Sequence, residues 1–174
     1  MKRCLNAACG KKTLETFNDM QVVNCDVRAL PNVQIVCNLI NSPFDDDSFD
    51  YILAHDILEH FTLKDSQLLL REFYRILDPK GQLEIKTPNL KAIMMKYSQS
   101  LDAFWTSYHL FGGQDYKENF HYVIYDSTSL KIVLERSGFE IVYIEEPYKP
   151  EYTNLFVICE KKAGFLPEKF ELVI

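Results

Sequence analysis

Residues 51 to 86 carry the pattern that most constrains this chain: an apolar run, an amphipathic helix, then a second apolar run. Tyr51–Ala54 reads as a strand, introduced by the turn residues Asp45–Asp50. From about Lys64 to Leu77 the apolar residues Leu69, Leu70, Phe73, Ile76 and Leu77 recur at three- and four-residue spacing. That is the period of a helix with one buried face. Asp78-Pro79-Lys80-Gly81 stops it, because proline cannot continue the hydrogen-bond ladder and glycine tolerates the exit geometry. Gln82–Lys86 is the next strand. A helical crossover places its two strands side by side and parallel, so the chain has to fold as an α/β layered domain.

The flanking segments extend the same sheet. Cys4–Ala8, Gln21–Cys25 and Val33–Leu39 read as three strands before it. Residues 88–126 are irregular, with helical stretches near Leu90–Ser98 and Leu101–Leu110. Ser127 or Thr128 caps a helix with core residues Leu130, Val133 and Leu134, which ends at Gly138. Phe139–Ile144 and Asn154–Glu160 close the sheet, and an antiparallel strand is expected at this C-terminal end. No repeat or low-complexity linker divides residues 1–174, so one domain is expected. Its parts are a ligand-binding half (1–87), a variable region (88–126), and a closing helix with strands (127–174).

A parallel crossover helix needs about a dozen residues. Val27–Asn32 is too short for one, and Lys11–Met20 holds a single turn at most. The N-terminal crossover helices are therefore expected to be reduced or absent, leaving one sheet face thinly covered near Val22, Val33 and Ile35. Either a homodimer or the segment Phe165–Ile174, with Phe170, Leu172 and Val173, is expected to cover that face, the dimer being favoured.

Composition excludes several classes. The net charge is −6, with basic residues scattered rather than striped, which disfavours nucleic acid as a partner. Five cysteines form no CxxC pair and sit mostly among strand residues, which points to a reducing, cytoplasmic compartment. Met1-Lys2-Arg3 leads into no signal-peptide core, and no apolar run is long enough to span a bilayer.

In open α/β sheets, ligands lie beyond the carboxyl ends of the central strands. Asp26, ending the second strand, can accept hydrogen bonds from ribose hydroxyls, and backbone N–H groups around Cys9-Gly10 can meet an anionic group. Near the fourth strand, His55, Asp56 and His60 are candidate proton acceptors, joined by His121 from the variable region. Asp56, Glu59 and His60 have the i, i+3, i+4 spacing that would converge on a metal if helical, with His121 as a distant fourth ligand. Such triplets also arise by chance, and no metal is assigned. There is no G-x-G-x-x-G, which argues against a nicotinamide dehydrogenase.

Taken together, these segments resemble the small class I S-adenosylmethionine-dependent methyltransferases. Leu5-Asn6-Ala7-Ala8-Cys9-Gly10 resembles their first loop, and Val23-Asn24-Cys25-Asp26 the strand ending in the ribose-binding acid. Cys37-Asn38-Leu39 with Ser42-Pro43-Phe44 resembles the adenine-side loop. Ser48-Phe49-Asp50-Tyr51-Ile52, Ile57-Leu58-Glu59-His60 and Arg75-Ile76-Leu77-Asp78-Pro79-Lys80-Gly81 follow in the usual order. Phe111-Gly112-Gly113-Gln114, Asn119-Phe120-His121 and Ser137-Gly138-Phe139 extend the likeness to about Lys161. The chain departs from the family at Asn6 and Ala8, where an acid and glycine are usual, and at Asn38, where Asp is common.

The resemblance implies a Rossmann-like fold and S-adenosylmethionine as cofactor. It implies a cofactor site at Asn6, Ala8, Cys9, Gly10, Asp26, Asn38, Leu39, Ala54 and His55. His60, His121 and Asp56 would lie nearest the acceptor, and the activity implied is methyl transfer to an oxygen or nitrogen of a small molecule. The alternative is a non-catalytic cofactor- or partner-binding module with a degenerate site.

Overall fold

The computed structural model describes residues 1–146, 153–162 and 164–165. Along them run β1 (Arg3–Ala7), β2 (Thr16–Phe17), β3 (Met20–Asp26), β4 (Ile35–Val36) and β5 (Phe49–His55). Then follow α1 (Leu63–Ile76), β6 (Leu77–Pro88), α2 (Leu90–Ser100), α3 (Ala103–Phe111), α4 (Ser127–Arg136), β7 (Phe139–Glu145) and β8 (Asn154–Lys161). The sheet order is β2-β3-β1-β5-β6-β8-β7, with β4 also on β3. The four central strands β3, β1, β5 and β6 are mutually parallel, while β8 runs antiparallel to β6 and to β7. The expected α/β fold, mostly parallel with an antiparallel strand at the C-terminal end, is the one observed.

α1 forms where its periodicity placed it. Thr62 caps it by accepting the Asp65 N–H, and Leu69, Leu70, Phe73 and Ile76 are fully buried. With Leu130 and Leu134 of α4 they cover one sheet face, against Leu5, Ile52, Ala54, Leu83, Ile85 and Val157. The α4 cap is Asp126 rather than Ser127 or Thr128. Its side chain accepts the Ser129 N–H, while Ser129 bonds back to the Asp126 backbone, a capping box that only this register closes. Asp78–Gly81 is not a break between elements. Leu77 already pairs with Phe49, the next residues bulge, and Gln82 resumes pairing on Tyr51.

The N-terminal crossovers are indeed bare. Between β1 and β5 the only helical piece is a 3-10 turn at Leu39–Asn41. Loop 8–15, which follows β1, is pinned instead by buried amides. Asn6 Nδ2 donates to Asn24 Oδ1 (2.8 Å) and Lys12 O (2.9 Å), and Asn24 exchanges hydrogen bonds with both backbone groups of Leu14. The third strand is shorter than expected, because two partners share the edge of β3. β2 takes Met20 and Gln21, while β4 takes Cys25 and Asp26. Val22 is buried with Cys4, Met20, Tyr51 and Leu53, and Phe17 packs against this smaller cluster. Of the C-terminal segment expected to cover that face, Phe165 packs on Tyr74 and crowds Gly138, beside α1 and α4. Residues 166–174 lie outside the described residues.

Candidate functional site

β3 and β5 flank β1 on opposite sides, so the chain reverses direction across the sheet there, and a crevice opens beyond the strand ends. The cleft has a volume of about 380 Å³. Ala8, Asp26, Arg28, Asn38, Leu39, Asp56, Ile57, His60, Phe61 and Tyr116 are among its lining residues. Two of them hold the left-handed backbone conformation that side chains disfavour: Ala8 (φ +50°) just past β1 and Asp56 (φ +53°) just past β5. Strain of this kind concentrates at functional sites.

On the β3 side, Asp26 is almost fully buried, and both its oxygens are engaged. Oδ2 accepts the Gly10 N–H (2.8 Å), while Oδ1 accepts the Arg28 N–H (2.9 Å) and Nε–H (3.1 Å). Oδ2 keeps one lone pair for a ligand hydroxyl. The Arg28 guanidinium lies 4.2 Å over the Tyr116 ring, linking the loop after β3 to the segment after α3. It also reaches Gly10, where an added Cβ would meet only Arg28 Nη2, at 3.6 Å. Asn38 uses its carbonyl to cap the 3-10 turn, accepting the Ile40 N–H.

The β5 side carries two imidazoles. Residues 58–60 form a 3-10 turn, and Tyr122 N–H bonds Glu59 O (2.8 Å), docking the variable region onto it. His60 Nδ1 lies 3.1 Å from Phe120 O and His121 Nδ1 lies 3.0 Å from His109 O. A carbonyl only accepts, so each Nδ1 carries the proton. The two rings meet edge to face at 4.8 Å. Burial holds both imidazoles below the usual histidine value, with His121 opposing charge on His60 and His109 opposing charge on His121. The Glu59 carboxyl is pushed up to about 8, mainly by burial and further by Asp56, against hydrogen bonds from its own backbone and Thr87. Asp56 itself is paired with Lys86 (3.0 Å) and Lys12 (3.7 Å).

Residues 7–85 match the family described as a methyltransferase domain. Part of the chain is 34% identical over 88 residues to the Probable tRNA methyltransferase 9B of Homo sapiens, covering 44% of this chain and 19% of that protein. The chain thus spans about a fifth of the length of the curated relatives it matches. The crystal structure of PH0226 protein from Pyrococcus horikoshii OT3 superposes with a TM-score of 0.68 at 17% identity, over 92% of this chain and 82% of that one. A Burkholderia thailandensis 1,6-didemethyltoxoflavin-N1-methyltransferase, solved with S-adenosylhomocysteine bound, gives 0.65 at 16% identity, over 92% and 71%. The match to the methyltransferase domain covers residues 7–85, and the likeness to the solved structures shows a shared fold.

Around this cleft the structure brings together Ala8, Asp26, Asn38 and Leu39 with Asp56 and His60. Gly10 joins them through its bond to Asp26, and His121 through its ring contact with His60. The other expected cofactor residues play different parts. Asn6 anchors loop 8–15, Cys9 N–H bonds Cys25 O, and Ala54 is buried beneath the cleft in the core. His55 does not line the cleft. It continues the Tyr51 side of β5, where its Nε2 bonds Glu84 (2.6 Å), which also accepts the Tyr51 hydroxyl proton (2.7 Å). The helical triplet Asp56, Glu59 and His60 does not form either, since Asp56 turns to its lysines. Arg28 escaped the sequence reading. The one signal available was a cation two residues after the strand-ending acid.

Proposed function

We propose that this methyltransferase domain binds S-adenosylmethionine between the ends of β1, β3 and β5, and methylates an oxygen or nitrogen of an acceptor entering beside His60. The observation that carries this reading is the buried Asp26, held by the Gly10 N–H at the switch point with one lone pair free. The residues suit the cofactor. Leu39 and Ile57 offer apolar walls for a purine, and Asp26 a charge-assisted acceptor for a ribose hydroxyl. When bound, the cofactor supplies a methyl group made electrophilic by its sulfonium. The neutral His60 accepts the acceptor's proton, with His121 supporting its ring, and the Asp56 carboxylate is neutralised by Lys86. The cleft side opposite carries Arg28, whose charge favours an acceptor or cofactor carboxylate.

Calorimetric titration with S-adenosylmethionine and S-adenosylhomocysteine tests the reading. Asp26→Ala should weaken binding about tenfold to a hundredfold. Unchanged affinity in that variant removes Asp26 from the site. Transfer of a labelled methyl group is then assayed against small hydroxyl and amine acceptors and against transfer RNA. A small acceptor is the reading adopted here, on the acidic net charge. Labelling of RNA alone would replace it with a nucleic-acid acceptor, which the human relative's name favours. A second reading, a binding module without catalysis, is favoured by the Arg28–Asp26 pair lying where the cofactor would approach Gly10. Absence of cofactor binding in both wild type and Arg28→Ala would establish it.

A further inference from the structure

Glu59, His60 and His121 reach one point from two segments that the fold brings together. One ligand atom from each lies within 4.8 Å of the other two. Two donors on one tetrahedral ion, each with a bond of about 2.0–2.3 Å, stand about 3.3–3.8 Å apart. Side-chain shifts of up to about an ångström would therefore close the set. Both imidazoles are already fixed as a metal requires. Each Nδ1–H is tied to a backbone carbonyl, Phe120 O for His60 and His109 O for His121, which leaves each Nε2 unprotonated. Glu59 is 1% exposed, and its carboxyl accepts hydrogen bonds from its own backbone and from Thr87 Oγ1 at 3.0 Å. The lysine that bears on it, Lys86, is bonded to Asp56. A cation seated among the three donors would replace the Glu59 proton.

We propose that Glu59, His60 and His121 bind a divalent transition-metal ion, with its open positions facing the cleft. Two histidines and one carboxylate are a donor set for zinc, manganese or iron rather than for calcium or magnesium. Resting on the methyl-transfer reading above, the ion takes over the part given there to His60, whose Nε2 it occupies: it holds an acceptor oxygen and lowers the pKa of its hydroxyl, and the proton leaves to solvent. The binding itself does not depend on that reading.

The test is titration of the intact chain with Mn²⁺ and Zn²⁺ by calorimetry, with Co²⁺ absorption to identify the donors. One ion per chain is expected, with nitrogen and oxygen donors and no thiolate charge-transfer band. Glu59→Gln, His60→Ala and His121→Ala should each weaken it by at least the tenfold to hundredfold that loss of a supporting residue costs at a metal site. Cys37→Ser should leave it unchanged, because the Cys25 and Cys37 sulfurs, 3.4 Å apart, are the competing site. Thermal melts exclude unfolded variants, and if His60→Ala fails to fold, His121→Asn decides. No binding to wild type, undiminished binding in folded His121→Ala or Asn, or binding lost in Cys37→Ser would overturn the proposal. S-adenosylmethionine titrated without metal keeps the two readings apart: cofactor bound but no ion sinks only the metal, and the reverse sinks only the cofactor.

Discussion

The two faces of the sheet are held by different chemistry. One is a conventional interior, with α1 and α4 laying Leu69, Leu70, Phe73, Ile76, Leu130 and Leu134 across the strands. The other, over β1, β3 and β5, has a small apolar cluster and two side-chain networks: Asn6–Asn24 with loop 8–15, and Tyr51–Glu84–His55. Burial of apolar area is strong but non-directional, whereas amide pairs fix a loop in one geometry. The loop they fix carries Ala8 and Gly10 into the cleft. The helix-covered face should therefore govern stability, and the polar face should govern the shape of the cofactor site.

The largest expected effect tests the first half of that division. Phe73→Ala removes a fully buried ring between α1 and the sheet, and should cost about 3–5 kcal/mol in chemical denaturation. The fraction that remains folded should bind S-adenosylmethionine with unchanged affinity. Asn24→Ala is smaller in stability and larger in function. It deletes three hydrogen bonds, to Asn6 and to both backbone groups of Leu14, for a loss of about 2–3 kcal/mol. With loop 8–15 released, cofactor affinity should fall about tenfold or more. Wild-type affinity in a folded Asn24→Ala protein would dissolve the division between the faces.

The second network adds a pH dependence. Burial raises the Glu84 pKa, but hydrogen bonds from His55 and Tyr51, together with the charge of His55, outweigh it and hold the carboxyl below its usual 4.5. A carboxylate depressed in the folded state stabilises the protein fully above its unfolded pKa, and that contribution fades as pH falls through the folded value. Stability should thus drop below about pH 4.5, and Glu84→Gln should flatten that part of the curve while costing about 1 kcal/mol at neutral pH. An unchanged acid limb in the variant would show that other carboxylates control it.

The helix-covered face was legible in the sequence, since period 3.6 places α1 within one residue of where it lies. So were the missing crossovers, because chain length between strands is a hard limit. The polar face was not. Asn6 and Asn24 read as loop and strand residues, and nothing in their spacing says that they meet across parallel β1 and β3. At the site, motif order located the cleft but not the direction of each side chain. His55 turned to Glu84 and Asp56 to Lys86, because partners 29 and 30 residues away on β6 were available to bond them. The convergence of His121 on Glu59 and His60 depends on how residues 120–123 dock, which is tertiary information.

The smallest effect concerns the hairpin that stands in for a crossover helix, and its sign is opposite. β2 and β3 are joined by Asn18 (φ +47°) and Asp19 (φ +60°), both in the left-handed region, as a two-residue type I′ turn requires. The turn carries Phe17 onto Tyr51, with ring centroids 5.2 Å apart, so it places the main apolar cover of the thin face. Asparagine tolerates the first position. Aspartate at the second pays a steric cost that glycine avoids, and Asn-Gly is the favoured pair for this turn. Asp19→Gly should therefore stabilise the domain by about 0.5–1 kcal/mol, which raises Tm by about 1–4 °C at this chain length. The same substitution in a Phe17→Ala background should gain no less, since turn strain is local and independent of the ring the turn positions. A gain that vanishes with Phe17 would mean that the hairpin is ordered by its packing, and the thin face would then depend on apolar cover as the other face does.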